Sequence, residues 1–307
     1  MYDLIILGGG PAGSGAAVYA ARKLLKTAVI TSEFGGQSTV SETIYNWIGT
    51  KEIPGKELGD NLRDHVTSYK SEHFNVFEGE KVVEVKKEAD GFVVVSDKGN
   101  EYATKAIIVS TGSGRRKLNV PGADIYENKG ITYCASCDGP MFTDMDVVVV
   151  GGGNAGFETA MQLIAYCKSV TLLESGEDFK ADKITIQKIS SDPKFSAIKN
   201  VEILKVEGGQ FVESLTYKDK NTGEEQTIKT GGIFVEIGQT PNTNFVKEVV
   251  ELDNFGKIIV DPMNQTSTCP GIWAAGDCTN GKYHQNNIAV GDAVKAIEDA
   301  YLWIKNN

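Results

Sequence analysis

The chain has 307 residues, 41% hydrophobic and 23% charged, which is ordinary globular usage and excludes a disordered chain. Lys and Arg number 31 against 41 Asp and Glu, a formal charge of −10 that repels phosphate backbones and anionic membranes, so neither nucleic acid nor a membrane is expected as a partner. The length fits one large or two medium domains of roughly 150 residues, and no apolar run approaches the roughly 18 residues that a bilayer span needs.

The first element is an apolar run, Leu4 to Leu7, with no basic leader ahead of it, which predicts no secretory signal. It meets three glycines, then apolar and small residues at helical spacing, then a second apolar run ending at Thr31. Residues 3–31 and 146–174 repeat this pattern: DLIILGGGPAGSGAAVYAARKLLKTAVIT against DVVVVGGGNAGFETAMQLIAYCKSVTLLE. Each reads as strand, tight turn, helix, strand, and the continuity of the apolar runs predicts central strands of parallel sheets covered on both faces. Both copies carry G-x-G-x-x-G: Gly8, Gly10 and Gly13, then Gly151, Gly153 and Gly156. The first glycine permits the turn, the second admits a pyrophosphate against bare backbone, and the third lets helix pack on strand. One such motif is weak evidence; two in the same context predict two dinucleotide sites.

After the first copy, Glu33 is the nearest acid, and Gly35, Gly36 and Gln37 would let the chain run along a second part of a long cofactor. Residues 55–74 read as a surface helix, and the Val and Phe repeats of 74–95 as a β-meander, both scaffold. Arg115, Arg116 and Lys117 either dock an acidic protein face or are simply solvated, the second being favoured.

Cys134 and Cys137 form a C-x-x-C in YCASCDGP. Zinc needs four ligands, and Cys167, Cys269, Cys278 and His65, His73 and His284 are scattered, so a reversible disulfide is expected and no metal. Five cysteines with one close pair are not a disulfide framework and fit a reducing cytoplasm. Thiol exchange needs a proton route, for which Asp138 is the candidate; otherwise it is a helix N-cap. The other three cysteines are expected to be inert.

In the second copy Glu174 ends the strand TLLE, near the spacing at which an acid receives ribose hydroxyls. It is followed by Ser175, Gly176, Glu177 and Asp178, with Lys180 the only close cation in sequence, so a 2′-phosphate would be repelled and NADH is expected over NADPH. Further on, IWAAGDC (272–278) is a strand running into Gly276 and Asp277, whose carboxylate suits a polyol. Tyr301, Leu302, Trp303 and Ile304 form an apolar end, and His284 reads as a neighbour of a helix cap. Nicotinamides deliver hydride and reduce disulfides poorly, whereas a flavin accepts hydride and passes both electrons to a disulfide. Two dinucleotide sites with one C-x-x-C therefore suggest NADH to FAD to disulfide.

GGGPAG, GGQ, YNW, STG, CASCDGP, GGGNAG, GQTPNT and AAGDC, in order along essentially the whole chain, resemble the low-molecular-weight thioredoxin reductases, and CDGPMF, GGGNAGFE and GIFVEIGQTPNTNF resemble still more the flavoprotein component of alkyl hydroperoxide reductase. The resemblance implies an α/β fold of two Rossmann-like dinucleotide-binding domains, pyridine nucleotide-disulfide oxidoreductase class II. The FAD domain (1–115 and 241–307) would be split by an inserted NAD domain with the C-x-x-C (116–240), hinged near 113–117 and 238–242 and able to rotate. It implies FAD contacts from Gly8, Gly10, Gly13, Glu33, Gly36, Gln37, Asn46, Thr111, Gly112, Gly276, Asp277, Gln285 and Ala289. It implies NADH contacts from Gly151, Gly153, Asn154, Gly156, Glu158, Glu174 and Gly238. Cys137 would face the flavin, Cys134 would attack the partner's disulfide, Asp138 would serve as acid–base, and the apolar end at 301–304 would pack in a homodimer.

Two departures stand out. Members using NADPH carry His-Arg-Arg…Arg where this chain has Glu174, Ser175, Gly176 and Lys180. The peroxide-reductase flavoprotein bears an N-terminal domain with its own C-x-x-C, so here a separate thioredoxin- or glutaredoxin-like protein is expected to carry electrons onward, with a peroxiredoxin downstream. The alternatives are a ferredoxin-dependent thioredoxin reductase, against which the intact second glycine motif counts; a flavin dithiol or NADH oxidase; and a non-catalytic nucleotide-binding module.

Overall fold

The computed structural model describes residues 1–41 and 43–307, the side chains of Ser136 and Cys137 excepted. It divides into two units: residues 1–114 with 240–307, and residues 115–239.

The first unit opens with β1 (Tyr2–Gly9), α1 (Pro11–Arg22) and β2 (Thr27–Phe34). Leu4 to Leu7 are fully buried, as an interior parallel strand requires. Proline at the first turn starts α1, and the backbone of Leu24 at φ 58 ends it. Then follow α2 (Gly55–Thr67), β3 (Phe74–Glu78), β4 (Val82–Glu88), β5 (Gly91–Ser96) and β6 (Glu101–Val109). The expected surface helix is present as α2, but the expected meander is only partly so. β3 leaves it to pair parallel with β2, because its Phe74 is needed in the core beside Val66 of α2; β4, β5 and β6 alone run antiparallel.

The chain crosses to the second unit at β7 (Ser113–Arg115). That unit holds β8 (Ile131–Thr132), the short α3 (Ala135–Asp138), β9 (Asp146–Val150), α4 (Asn154–Ile164), β10 (Ser169–Leu173), α5 (Lys183–Ser190) and β11 (Phe195–Ile198). An antiparallel sheet of β12 (Val201–Gly208), β13 (Val212–Asp219) and β14 (Glu225–Lys229) comes next, then β15 (Gly232–Val235). The parallel sheet has the order β11-β10-β9-β15-β8. Phe157 of α4 is fully buried against Phe179 and Phe195, an anchor whose truncation to alanine would cost about 3–5 kcal/mol.

The return, through β16 (Gln239–Pro241), leads to β17 (Ile272–Ala274) and the terminal α6 (Asn286–Asn306). β17 lies against the last residues of β6 while β5 occupies its first ones, so one strand edge serves both neighbours. The first sheet thus has seven strands. α6 buries Ala289, Ala293, Ala296, Ile297, Ala300 and Ile304, a stripe at helical spacing whose small residues let α1, with Ala16, Ala17 and Ala20, come close.

Most of the apolar C-terminal end is packed within the chain's own core. Trp303 meets Trp273 at 5.8 Å between ring centres, and Tyr301 and Ile304 pack into the same core; only Leu302, 61% exposed, points out. A 3.6-residue helical period turns three of the four side chains inward.

Candidate active site

A cleft of about 550 Å³ lies within the first unit at the carboxyl ends of β1, β6 and β17, where parallel sheets receive ligands. Gly8, Gly10, Glu33, Gly36, Gln37, Thr111, Gly112, Gly276, Asp277 and Ala289 all line it. Gly8 stands at φ +111, where a Cβ would collide with the Ser110 carbonyl; at Gly13, behind the cleft, a Cβ would collide with the carbonyl of Gly8. Gly10 and Gly36 face each other, a Cβ on Gly36 coming within 3.4 Å of the Gly10 Cα, so the cradle stays open only because both are glycines. The Gln37 Oε1 is buried and has no hydrogen-bond partner among the described residues, an orphaned acceptor suited to a ligand donor.

Asn46 and Gln285 are outside the cleft lining but are brought together, Asn46 Nδ2 donating to Gln285 Oε1 at 3.0 Å. Asn287 Nδ2 adds a bond to the Asn46 carbonyl at 2.6 Å, which fastens the YNW loop to the start of α6. Thr111 Oγ1 donates to the Asn242 carbonyl at 2.6 Å, and Asn242 Nδ2 donates back to the Thr111 carbonyl at 3.1 Å, so two quoted motifs far apart in sequence form one wall.

The sequence reading missed Glu80, a lining residue only 7% exposed. Burial alone would raise its carboxyl, yet donors on Asn100 and Tyr102 hold it below the ordinary range, and burial beside it pushes the Tyr102 phenol up to about 12. No spacing links Glu80 to Tyr102; the successive pairing of β4, β5 and β6 brings them together. His284 was read only as a cap neighbour; its Nδ1 lies 3.4 Å from Asp277 Oδ1.

The second unit repeats the loop. Gly151 has φ +120 and a Cβ there would collide with the Glu236 carbonyl; a Cβ on Gly156 would collide with the Gly151 carbonyl; Gly153 faces open space. Glu174, 8% exposed, is turned onto this loop, Oε2 accepting from the Gly152 N–H at 2.6 Å and Oε1 from the Gly176 N–H at 2.6 Å. The Lys180 N–H donates to the Gly152 carbonyl at 2.9 Å, and Asn154 Oδ1 accepts from the Asp182 N–H at 2.8 Å, so the segment after β10 docks along the loop. Glu158 is exposed on α4, and Gly238 (φ +99) faces open space while its carbonyl accepts from the Arg116 N–H at 2.9 Å.

Two charge readings need correction. Lys180 is not the only cation near Glu174's segment: Lys199 pairs with Asp178 at 3.0 Å and Lys220 Nζ donates to the Ser175 carbonyl at 2.6 Å, both brought from loops distant in sequence. The 115–117 run is not merely solvated. Arg115 Nη1 lies 2.5 Å from Glu236 Oε2, Thr159 donates to Glu236 Oε1 at 2.8 Å, and Lys117 pairs with Glu127 at 2.7 Å. Burial pushes the Glu236 carboxyl above its usual value, with Arg115 and Thr159 opposing.

Cys134 is disulfide-bonded; the Cys137 side chain lies outside the described ones. Thr132 Oγ1 donates to Asp138 Oδ2 and accepts from the Cys134 N–H at 3.3 Å, tying the thiol turn to the carboxylate. Asp138 caps no helix end with its side chain. Cys167 and Cys278 are fully buried, with thiols raised by burial to about 11 and about 12, and Cys269 is buried too, as inert thiols are. Among the described residues no helix is long and apolar enough to cross a membrane, and no cluster of His, Cys, Asp or Glu could hold a metal ion.

The profile of the pyridine nucleotide-disulphide oxidoreductases matches residues 2–293. Thioredoxin reductase of Lactococcus lactis superposes over 100% of both chains with a TM-score of 0.91 at 31% identity. The T. acidophilum thioredoxin reductase does so over 98% of both with 0.86 at 36%. Among curated proteins, a Bacillus subtilis (strain 168) protein named NADH dehydrogenase is 38% identical over 306 residues, 100% of this chain and 59% of its own length. A component of the alkyl hydroperoxide reductase of Staphylococcus aureus (strain NCTC 8325 / PS 47), its F subunit, is likewise 38% identical, with 60% of its length covered. The chain thus spans about 60% of the length of the curated relatives it matches.

Proposed function

Because the chain belongs to the pyridine nucleotide-disulphide oxidoreductases, we propose that it is a flavin-dependent disulfide reductase, drawing electrons from NADH and delivering them through the Cys134–Cys137 pair to a thioredoxin- or glutaredoxin-like protein. The observation that carries this is the duplicated glycine loop, one per unit, each with two glycines where a side chain would collide with backbone. The first unit's cleft fits FAD: its cradle is open only for glycine, Gln37 offers an unpaired acceptor, and Asp277 a carboxylate for a polyol hydroxyl. When bound, FAD would supply acceptance of a hydride and onward transfer of the electron pair to a disulfide.

The chain's own residues do the rest. Gly8, Gly10 and Gly13 admit a pyrophosphate to the start of α1, where free helix amides attract anions. Gly151, Gly153 and Gly156 do the same for NADH at α4, and Glu174, pinned by two backbone amides, stands as a fixed anion that disfavours a 2′-phosphate. Lys199 is offset by Asp178, and Lys220, which keeps its charge while bonded to the Ser175 carbonyl, is outnumbered by Glu174 and Glu177 of the same segment. The balance is one hydride from NADH plus one proton, reducing one disulfide to two thiols; Asp138, oriented by Thr132, handles the proton beside Cys134. Ile288 and Leu302 are exposed apolar residues of the C-terminal helix, and Leu302, at its apolar end, is the one this reading gives to a homodimer contact. The test is the visible spectrum of the purified full chain: an oxidised-flavin band that NADH bleaches without oxygen is expected, and a colourless chain that takes up no FAD contradicts the reading.

A further inference from the structure

Asp277 does not reach the cleft as an isolated carboxylate. Beyond the His284 contact at 3.4 Å, Lys257 Nζ lies 2.8 Å from His284 Nε2. An ammonium donates and cannot accept, so Nε2 of the neutral ring is the acceptor, and the ring proton is left on Nδ1, facing Asp277. Lys257 is itself held. Its N–H donates to Asp253 Oδ1 at 2.9 Å, and the next residue, Ile258, donates to the Cys278 carbonyl at 2.8 Å, joining the lysine turn to the segment that carries Asp277. On the other flank Gly276 stands at φ +78, and a Cβ there would lie 3.3 Å from the Cβ atoms of both Ala12 and Ala289. The backbone of Gly276, just before Asp277, is therefore wedged between the first turns of α1 and α6, and the Asp277 carboxylate has beside it an imidazole whose far nitrogen is engaged by an ammonium.

We infer that His284 and Lys257 are positioning residues for Asp277. The ammonium fixes the imidazole tautomer, the imidazole N–H holds Oδ1, and Oδ2 is left to accept from a hydroxyl of a polyol ligand. The three groups together carry no net charge, so the site presents a strong acceptor without adding net repulsion to a ligand that also bears phosphates. The inference rests on reading the cleft as an FAD site and adds to that reading two residues that do not themselves line the cleft.

The test is equilibrium binding of FAD to the flavin-stripped full chain, read by flavin fluorescence, alongside the melting temperature of each stripped protein. His284→Leu and Lys257→Met are each expected to weaken FAD about tenfold, the scale of one charge-assisted hydrogen bond. His284→Asn, which keeps an N–H on the side facing Asp277, is expected to stay within about threefold of wild type. Asp277→Asn combined with His284→Leu is expected to bind no more weakly than Asp277→Asn alone, because the two act as one unit. The stripped proteins are expected to melt together. Wild-type affinity in His284→Leu, equal loss in His284→Asn, additive loss in the double variant, or a lowered melting temperature that accounts for the weaker binding would each overturn the inference while leaving the cleft assignment intact. A wild-type chain that takes up no FAD overturns the cleft assignment, and the inference with it.

Discussion

Glu174 Oε2 accepts a hydrogen bond from the backbone of Gly152 at 2.6 Å, so the carboxylate that closes β10 is fastened to the middle of the second glycine loop. With its other oxygen held by Gly176, it cannot swing away from an approaching phosphate. Wild-type protein is therefore expected to use NADH at higher kcat/KM than NADPH. Glu174→Ala leaves two amides without their acceptor, at about 1–3 kcal/mol each, and is expected to lower the NADH value about 10- to 100-fold while narrowing the gap to NADPH. Steady-state kinetics with both nucleotides decides it; equal efficiency in wild type removes the role given to Glu174.

The glycines of each loop are not equivalent, and substitution separates them. Gly156→Ala drives a methyl into the Gly151 carbonyl, whereas Gly153→Ala meets nothing within 4 Å. Thermal melting is expected to show Gly156→Ala destabilised by about 1–3 kcal/mol or more, the scale of overpacking. Gly153→Ala is expected to melt like wild type but to need more NADH, since its methyl occupies the space left for a ligand. Identical behaviour of the two variants would contradict the geometry.

Glu236 gives the second unit a pH dependence of defined sign. Burial raises its carboxyl first, against the pull of Arg115 and Thr159, so the folded chain keeps that proton to higher pH than the unfolded chain. The stability it contributes is full below the unfolded value, near 4.3, and is lost as pH rises through the folded value. Arg115→Met strands the carboxylate. It is expected to destabilise by about 3 kcal/mol at pH 8 and by less at pH 5, while Arg115→Met with Glu236→Met recovers most of the loss. Melting curves across that range check it; a pH-independent penalty would rule it out.

Much of this arrangement was legible in the sequence because the glycine loops are local: three glycines, one strand and one helix fix their own geometry. Asp277 was legible for the same reason, as a carboxylate after a glycine at a strand end. What supports these residues was not. Lys199 and Lys220 reach the Ser175–Asp178 segment, and Glu80 meets Tyr102, only through sheet pairing. Arg115 looked like one of three solvated cations, and only the fold brings it to Glu236 at the far end of the same unit's chain. How the C-terminal apolar run is shared between core and surface was not legible, because four consecutive apolar residues on a helix cannot all face one way, and Trp273 takes Trp303 inward.

Thr132 and Asp138 predict a split between two steps. Asp138→Asn is expected to slow disulfide reduction about 100-fold, within the range of general acid catalysis, and to leave bleaching by NADH nearly unchanged. Thr132→Val removes the hydroxyl that joins the Cys134 N–H to Asp138 and is expected to slow the same step by less. Anaerobic stopped-flow separates the phases; slower bleaching with normal disulfide reduction would place Asp138 elsewhere.

The central claim is that one electron pair passes from NADH by way of bound FAD to the Cys134–Cys137 disulfide. Anaerobic titration with NADH, followed by flavin absorbance and by free thiols after acid quench, tests it most directly. Wild type is expected to take up one electron pair more than Cys134→Ser and to expose two new thiols as it does so. Equal uptake by both, with no new thiols in wild type, would contradict the account.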